Sequence, residues 1–339
     1  MSLLELQQAE LDAWVAALIG RTRVMAPQAK GKAFAYGPLA RAEDLRLDHD
    51  VAIAPPKQYF LPPKETLLSY NEQGWESQVG EEPFVLFGVH PYDVAAIAQM
   101  DQVFSEGESD VHYLTRRDAA TIVACDVQTP SENCFAGCVG TAVCKDGFDV
   151  LLTKVGDSYV VDVRTDKGQA LVDGLPEQRP AERAALLGRL RVWQENRAGL
   201  RKHELAIAAE DLPDLLEQHY EHPVWEERSR LCFSCGSCNL VCPTCYCFDV
   251  RDETNWDLKS GARTRFWDGC MLQEFANVAG GHNFRREAAA RFRHRYFRKG
   301  KYIPDRYGPI ACVGCGRCIS ACVAKIANPV EVFNRLSEE

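Results

Sequence analysis

Eight of the fifteen cysteines fall into two copies of one spacing, C-x2-C-x2-C-x3-C. The first copy is Cys232, Cys235, Cys238 and Cys242, followed by Pro243; the second is Cys312, Cys315, Cys318 and Cys322. This is the ligand run of proteins that hold two [4Fe–4S] cubanes, in which the fourth cysteine of each run serves the other cluster. The expected sets are therefore Cys232, Cys235, Cys238 and Cys322 for cluster 1, and Cys312, Cys315, Cys318 and Cys242 for cluster 2. Structural zinc normally uses two C-x2-C pairs split by a longer loop, four ligands in all, and fits two runs of four badly. Disulfides fit worse, since the cysteine count is odd and no secretory signal is expected at the start.

The cysteines also divide the chain. Residues 1–225 hold four of them, whereas 232–322 hold eleven. With a length of 339 residues and about 150 per domain as a prior, two domains are expected: an α/β scaffold over 1–225 and a dicluster domain over 226–339. The fold class is thus α+β, a mixed α/β domain followed by a mainly helical, ferredoxin-like two-cluster domain with a long insertion between the runs, residues 243–311.

Within the first part, PFVLFGV, contained in Glu82–Val89, and ATIVA (Ala120–Ala124) are strand-like apolar runs. A helix is expected from Pro91, and a hairpin over Phe148–Val163 with its turn at Gly156-Asp157. Met1–Gly20 has apolar residues at helical spacing and reads as an amphipathic helix, and Pro180–His219 is also helical in pattern. The segment Pro55–Lys64, proline-rich at both ends, reads as an extended surface connector or a docking strap. In the insertion, Gln273–Val278 and Arg285–Arg298 are helix-like.

Other chemistries find little support. A net charge of −9 argues against general nucleic-acid binding, and no apolar run reaches the roughly 18 residues of a membrane span. Neither G-x-G-x-x-G after a strand nor a P-loop is present. No catalytic residue is singled out; the chain is expected to be a non-catalytic, cytoplasmic electron carrier. The stretch Arg285–Lys301 carries eight basic residues against Glu287 alone. It is either a tuner of the clusters, since positive charge favours the reduced form, or a solvated basic face or acidic-partner dock. Cys245, Cys247 and Cys270 read as buried thiols, with Cys245 close enough to Cys242 to be an alternative ligand. Cys125, Cys134, Cys138 and Cys144 form a second group, a candidate for a third iron–sulfur cluster or zinc, though their spacing matches no standard run.

Six phrases occur in one order: GVHPYD (Gly88–Asp93), DGFDVLL (Asp146–Leu152), CPTCYCFDVRDE (Cys242–Glu253), RTRFWDGC (Arg263–Cys270), GGHNFR (Gly280–Arg285) and CVGCGRC (Cys312–Cys318). Together they resemble the β subunit of soluble NAD(P)-linked [NiFe] hydrogenases, the sulfhydrogenases; the A subunit of anaerobic sulfite reductase is similar. The resemblance implies an electron-transfer subunit of a hetero-oligomeric hydrogenase, an oxidoreductase with NAD(P)+ as acceptor. Its implied partners are the hydrogenase small and large subunits and a flavin/NAD(P)-binding subunit. The alternative is the equivalent place in a sulfite reductase. Two departures stand out. Val323 follows the second run where the family usually has proline, and Tyr92 stands where relatives often have cysteine, with Cys134-Phe135-Ala136 where they have C-F-C.

Overall fold

The apolar run Phe84–Val89 forms a strand buried along its whole length. It is an interior strand of the larger of two sheets in the computed structural model, which describes residues 2–175 and 177–338. The strands are β1 (Ser2–Gln7), β2 (Arg23–Lys30), β3 (Ala33–Pro38), β4 (Lys64–Asn71), β5 (Gly74–Ser77) and β6 (Phe84–Val89). They continue with β7 (Ala120–Cys125), β8 (Val150–Val155), β9 (Ser158–Val163), β10 (Arg179–Pro180), β11 (Phe248–Thr254) and β12 (Gly261–Trp267).

Eight strands form one mixed sheet in the order β10-β1-β9-β8-β7-β6-β2-β3. The run β2-β6-β7-β8 is parallel, which explains why β6 and β7 read as continuous apolar segments: both of their faces are covered. Val85, Phe87 and Val123 pack to one side with Leu11, Trp14 and Val15 of the Gln8–Ile19 helix. Phe84, Leu86 and Ile122 pack to the other with Val94, Ile97 and Met100 of the Pro91–Ser105 helix. The hairpin β8–β9 turns at the expected place.

Several expectations are revised. The N-terminus is not helical from its start: Ser2–Gln7 is a strand paired to β9, with Leu4 and Leu6 buried, and the helix begins only at Gln8. Its S-L-L-E-L-Q pattern alternates as well as it spirals, and the waiting sheet edge decides the matter. The Pro55–Lys64 segment is not a surface connector. Pro56–Tyr59 makes a 3-10 turn with Lys57 buried, and Phe60 and Leu61 are buried behind it.

The insertion is not all helical either. β11 and β12 form a hairpin that pairs with β4 to make a four-stranded sheet, β11-β12-β4-β5. This sheet crosses the line drawn at residue 225. Buried Arg265 on β12 binds Glu65 on β4 at 2.6 Å and also reaches Asp110. The hairpin's tip carries a fully exposed Trp256. Gln273–Val278 contains one 3-10 turn, Glu274–Ala276, rather than a helix. Arg285–Arg298 does contain a helix, Ala288–Phe297, which runs through a π-turn at Arg298–Tyr302 into Ile303–Tyr307. Around it, Trp225, Phe292, Tyr296 and Phe333 build a helical core against which the two cysteine runs rest.

Candidate metal centre

The two runs fold alike. In the first, Ser234 and Gly236 have φ of 53° and 71°; in the second, Gly314 and Gly316, at matching positions, have 66° and 77°. Gly236 and Gly316 each cap a short helix, Ser237–Leu240 and Arg317–Ala321. Left-handed residues turn the chain back on itself and aim backbone N–H groups at the sulfurs; the Ser234 amide lies 3.4 Å from Cys232 Sγ.

These loops surround two cavities. One has Cys232, Cys235, Cys238 and Cys322 in its wall. The other has Cys312, Cys315, Cys318 and Cys242. Each has in its wall three cysteines of one run and the fourth cysteine of the other. The donor set fits an iron–sulfur cubane: four soft thiolate donors, largely apolar walls and inward-turned N–H groups. Among the described residues no three His, Cys, Asp or Glu side chains close on a single-ion site.

Arg295, buried, lies in the wall of both cavities, and its Nη2 donates to the Cys238 carbonyl at 3.2 Å. Burial opposes its charge, but the sulfurs of Cys238, Cys318, Cys245 and Cys242 hold it well above the ordinary arginine range. One turn on, Lys299 lines the second cavity and donates to Thr244 Oγ1 at 2.6 Å. Two of the eight basic residues of Arg285–Lys301 thus face the thiols. A third, Arg291, ties Ser234 down at 2.9 Å.

Different neighbours cover the two runs. The loop around Asn133–Thr141, from the first part of the chain, lies on the second run: Phe135 N–H donates to Gly314 O at 2.7 Å and Thr141 Oγ1 to Val313 O at 2.7 Å. A Cβ at Gly314 would sit 2.6 Å from the Ala136 nitrogen, and one at Gly316 2.3 Å from the Asn133 oxygen, so only glycine allows this approach. Arg317, between Cys315 and Cys318, makes a buried two-pronged pair with Asp93 at 2.7 Å on both arms. Asp93 comes from GVHPYD and Arg317 from CVGCGRC, so this pair joins two of the phrases. Behind it, the His49 and His90 rings stack 3.9 Å apart, and His90 Nδ1 meets the Tyr92 hydroxyl at 2.6 Å. Burial lowers the pKa of His49 to about 4 and that of His90 well below its usual value.

Cys125, Cys134, Cys138 and Cys144 are not brought together. Cys125 and Cys144 pack on opposite faces of the large sheet. Cys134 packs with Tyr92, Ala136 and Cys315, and the Cys138 thiol lies 3.4 Å from the His203 carbonyl.

Cys245, Cys247 and Cys270 line neither cavity. Asn239 Nδ2 donates to both Cys270 Sγ at 3.4 Å and Cys245 Sγ at 3.6 Å. The Cys245 thiol donates to Cys242, which favours the Cys242 thiolate. Lys57, which the sequence placed in a connector, reaches the Cys245 carbonyl at 2.5 Å and stacks on Trp267; burial lowers its pKa to about 8. Its proline-flanked position hides this role, because the contact spans 188 residues of chain.

Residues 231–326 match the family model for a 4Fe-4S dicluster domain. Sulfhydrogenase 2 subunit beta of Pyrococcus furiosus is 34% identical over 324 residues, covering 93% of this chain and 92% of that protein. No helix among the described residues is long and apolar enough to cross a membrane. With similarity of that depth along nearly the whole chain, and a dicluster domain over both cysteine runs, the chain belongs to the sulfhydrogenase β-subunit family.

Proposed function

We propose that this chain is the electron relay of a cytoplasmic, hetero-oligomeric [NiFe] hydrogenase, passing electrons between the hydrogenase module and a flavin/NAD(P)-binding subunit. The observation that carries this reading is the pair of four-thiol cavities sharing Arg295 in one wall. We propose Cys232, Cys235, Cys238 and Cys322 as ligands of one [4Fe–4S] cluster, Cys312, Cys315, Cys318 and Cys242 as ligands of the other, and no third. Such clusters, when bound, take up and release single electrons.

The protein's part is to hold and bias them. The thiols fix position, the apolar walls limit water, and the Arg295 and Lys299 charges favour the reduced state on both sides. Residues 1–225 act as scaffold and cover for the second run.

Cys235→Ser and Cys315→Ser should each abolish NAD(P)+ reduction by H2 in the purified complex while leaving H2 oxidation with an artificial dye. Full NAD(P)+ reduction in both variants would overturn the relay. Nickel in the complex supports this assignment; sirohaem absorbance instead would place the chain in a sulfite reductase.

A further inference from the structure

The two cavities meet the surface differently. Cys242, Cys315 and Cys318 of the second are buried, whereas Cys235 of the first is exposed. Around Cys235 the chain leaves large apolar side chains in water: Leu231 is 63% exposed, Phe233 73% and Val323 77%. Phe233 and Val323 are also in the cavity wall. Single exposed apolar residues are ordinary, but three gathered at one cavity mouth mark a contact surface.

Basic groups flank this mouth. Arg291 donates to the Arg285 carbonyl at 3.1 Å and to that of Arg286, while its other arm holds Ser234, so the Arg285–Arg286 loop lies against the first run. Lys325 is exposed three residues after Cys322, in a left-handed turn with φ of 56°. Among the described residues none of Arg285, Arg286 and Lys325 is ion-paired with an Asp or Glu side chain; Glu287 is the acid in that loop.

We propose that the Leu231–Phe233–Val323 face is the docking site for an acidic protein subunit that carries its own one-electron centre. This rests on the relay reading and names which cavity faces out. A second copy of this chain fits poorly, because an isologous contact would set the Arg286 and Lys325 charges against their own copies. An apolar centre with an unpaired basic rim instead complements an acidic rim around an apolar patch, and the charges speed and orient the encounter.

The test uses the native complex, purified anaerobically, with a benzophenone amino acid in place of Phe233. Irradiation followed by mass spectrometry should give a cross-link to a subunit that binds an iron–sulfur cluster or flavin. A cross-link to a second copy, to a subunit without a redox centre, or none in an intact complex overturns the docking site. The relay reading would survive that result if the cysteine variants still block NAD(P)+ reduction. In parallel, the Arg286→Glu, Lys325→Glu double variant, checked for unchanged iron content, is titrated against the remaining subunits of the complex. Its affinity should fall at least tenfold at low salt, and wild-type affinity should fall as salt rises. Equal affinities at low salt would remove the charge argument and with it the acidic partner.

Discussion

Ser234 in the first cysteine run and Gly314 in the second hold the same place in the spacing and share a left-handed backbone. Ser234 keeps a side chain, held by Arg291 from the neighbouring helix. Gly314 cannot have one, because the Phe135-Ala136 backbone lies where a Cβ would go. Ligand spacing sets the local loop in both cases, and what packs outside the loop separates them. The first run is left to solvent and the second is sealed under the α/β part of the chain. Two centres with identical donor atoms would therefore differ in solvent access and nearby charge, two levers by which a protein sets a cluster's potential.

The most severe way to break this comparison is to remove one crossed cysteine. Cys322→Ser should abolish the centre otherwise built by the first run, and Cys242→Ser the centre built by the second. Iron in each would fall from about eight to about four per chain. Electron paramagnetic resonance of the reduced variants identifies which signal is lost, and loss of the same-run signal would mean the fourth cysteines are not exchanged.

Next in size is the seal over the second run. Asp93→Ala leaves Arg317 buried without its partner and should cost about 3–5 kcal/mol in unfolding free energy. It also removes a negative charge from the second centre's side, so that centre's potential should rise more than the first's. Equal shifts at both centres in a redox titration would contradict the one-sided placement.

The seal should also be acid-sensitive. His49 titrates near 6.5 in an unfolded chain but at about 4 when folded, because burial penalises its charged form. The unfolded state then binds more protons over that window, so stability is full above pH 6.5 and falls as pH drops towards 4. The loss is about 1.4 kcal/mol per pH unit for each such histidine. His90, shifted the same way, adds to it. His49→Gln should reduce the fall in melting temperature between pH 6.5 and 4.5, leaving the part due to His90; an unchanged slope would exclude His49.

Arg295 tests what the two centres share. A unit charge within roughly 10 Å is worth about 1.7 kcal/mol at an effective dielectric constant near 20, or about 70 mV for one electron. Arg295→Met should lower both potentials by about that amount, and a drop at one centre alone would show that the residue serves only that side. The smallest effect is expected at the hairpin tip. Trp256→Ser, at a fully exposed position, should change stability by less than about 0.5 kcal/mol and leave both potentials alone.

Much of the centre was legible because its signal is local. Three cysteines at two-residue gaps specify a loop whatever surrounds it, and β6 and β7 announce burial through unbroken apolar sequence. What stayed hidden depends on contacts distant along the chain. Ser2–Gln7 becomes a strand because β9 offers it an edge. Lys57 matters because the loop after the first run folds over it. Asp93 and Arg317 are 224 residues apart, and neither signals a partner by its own neighbours. The group Cys125, Cys134, Cys138 and Cys144 shows the reverse error: closeness in sequence suggested a site, but the sheet sends Cys125 and Cys144 to opposite faces.

The proposed exchange of fourth cysteines has a consequence for how the molecule is made. A nascent chain that has released residue 242 but not yet residue 322 holds one complete run and no complete site. With the proposed ligand sets, neither site would be closable until the second run has also left the ribosome. Loss of the first centre would free Cys322 in the second run while leaving the second centre's four thiols in place.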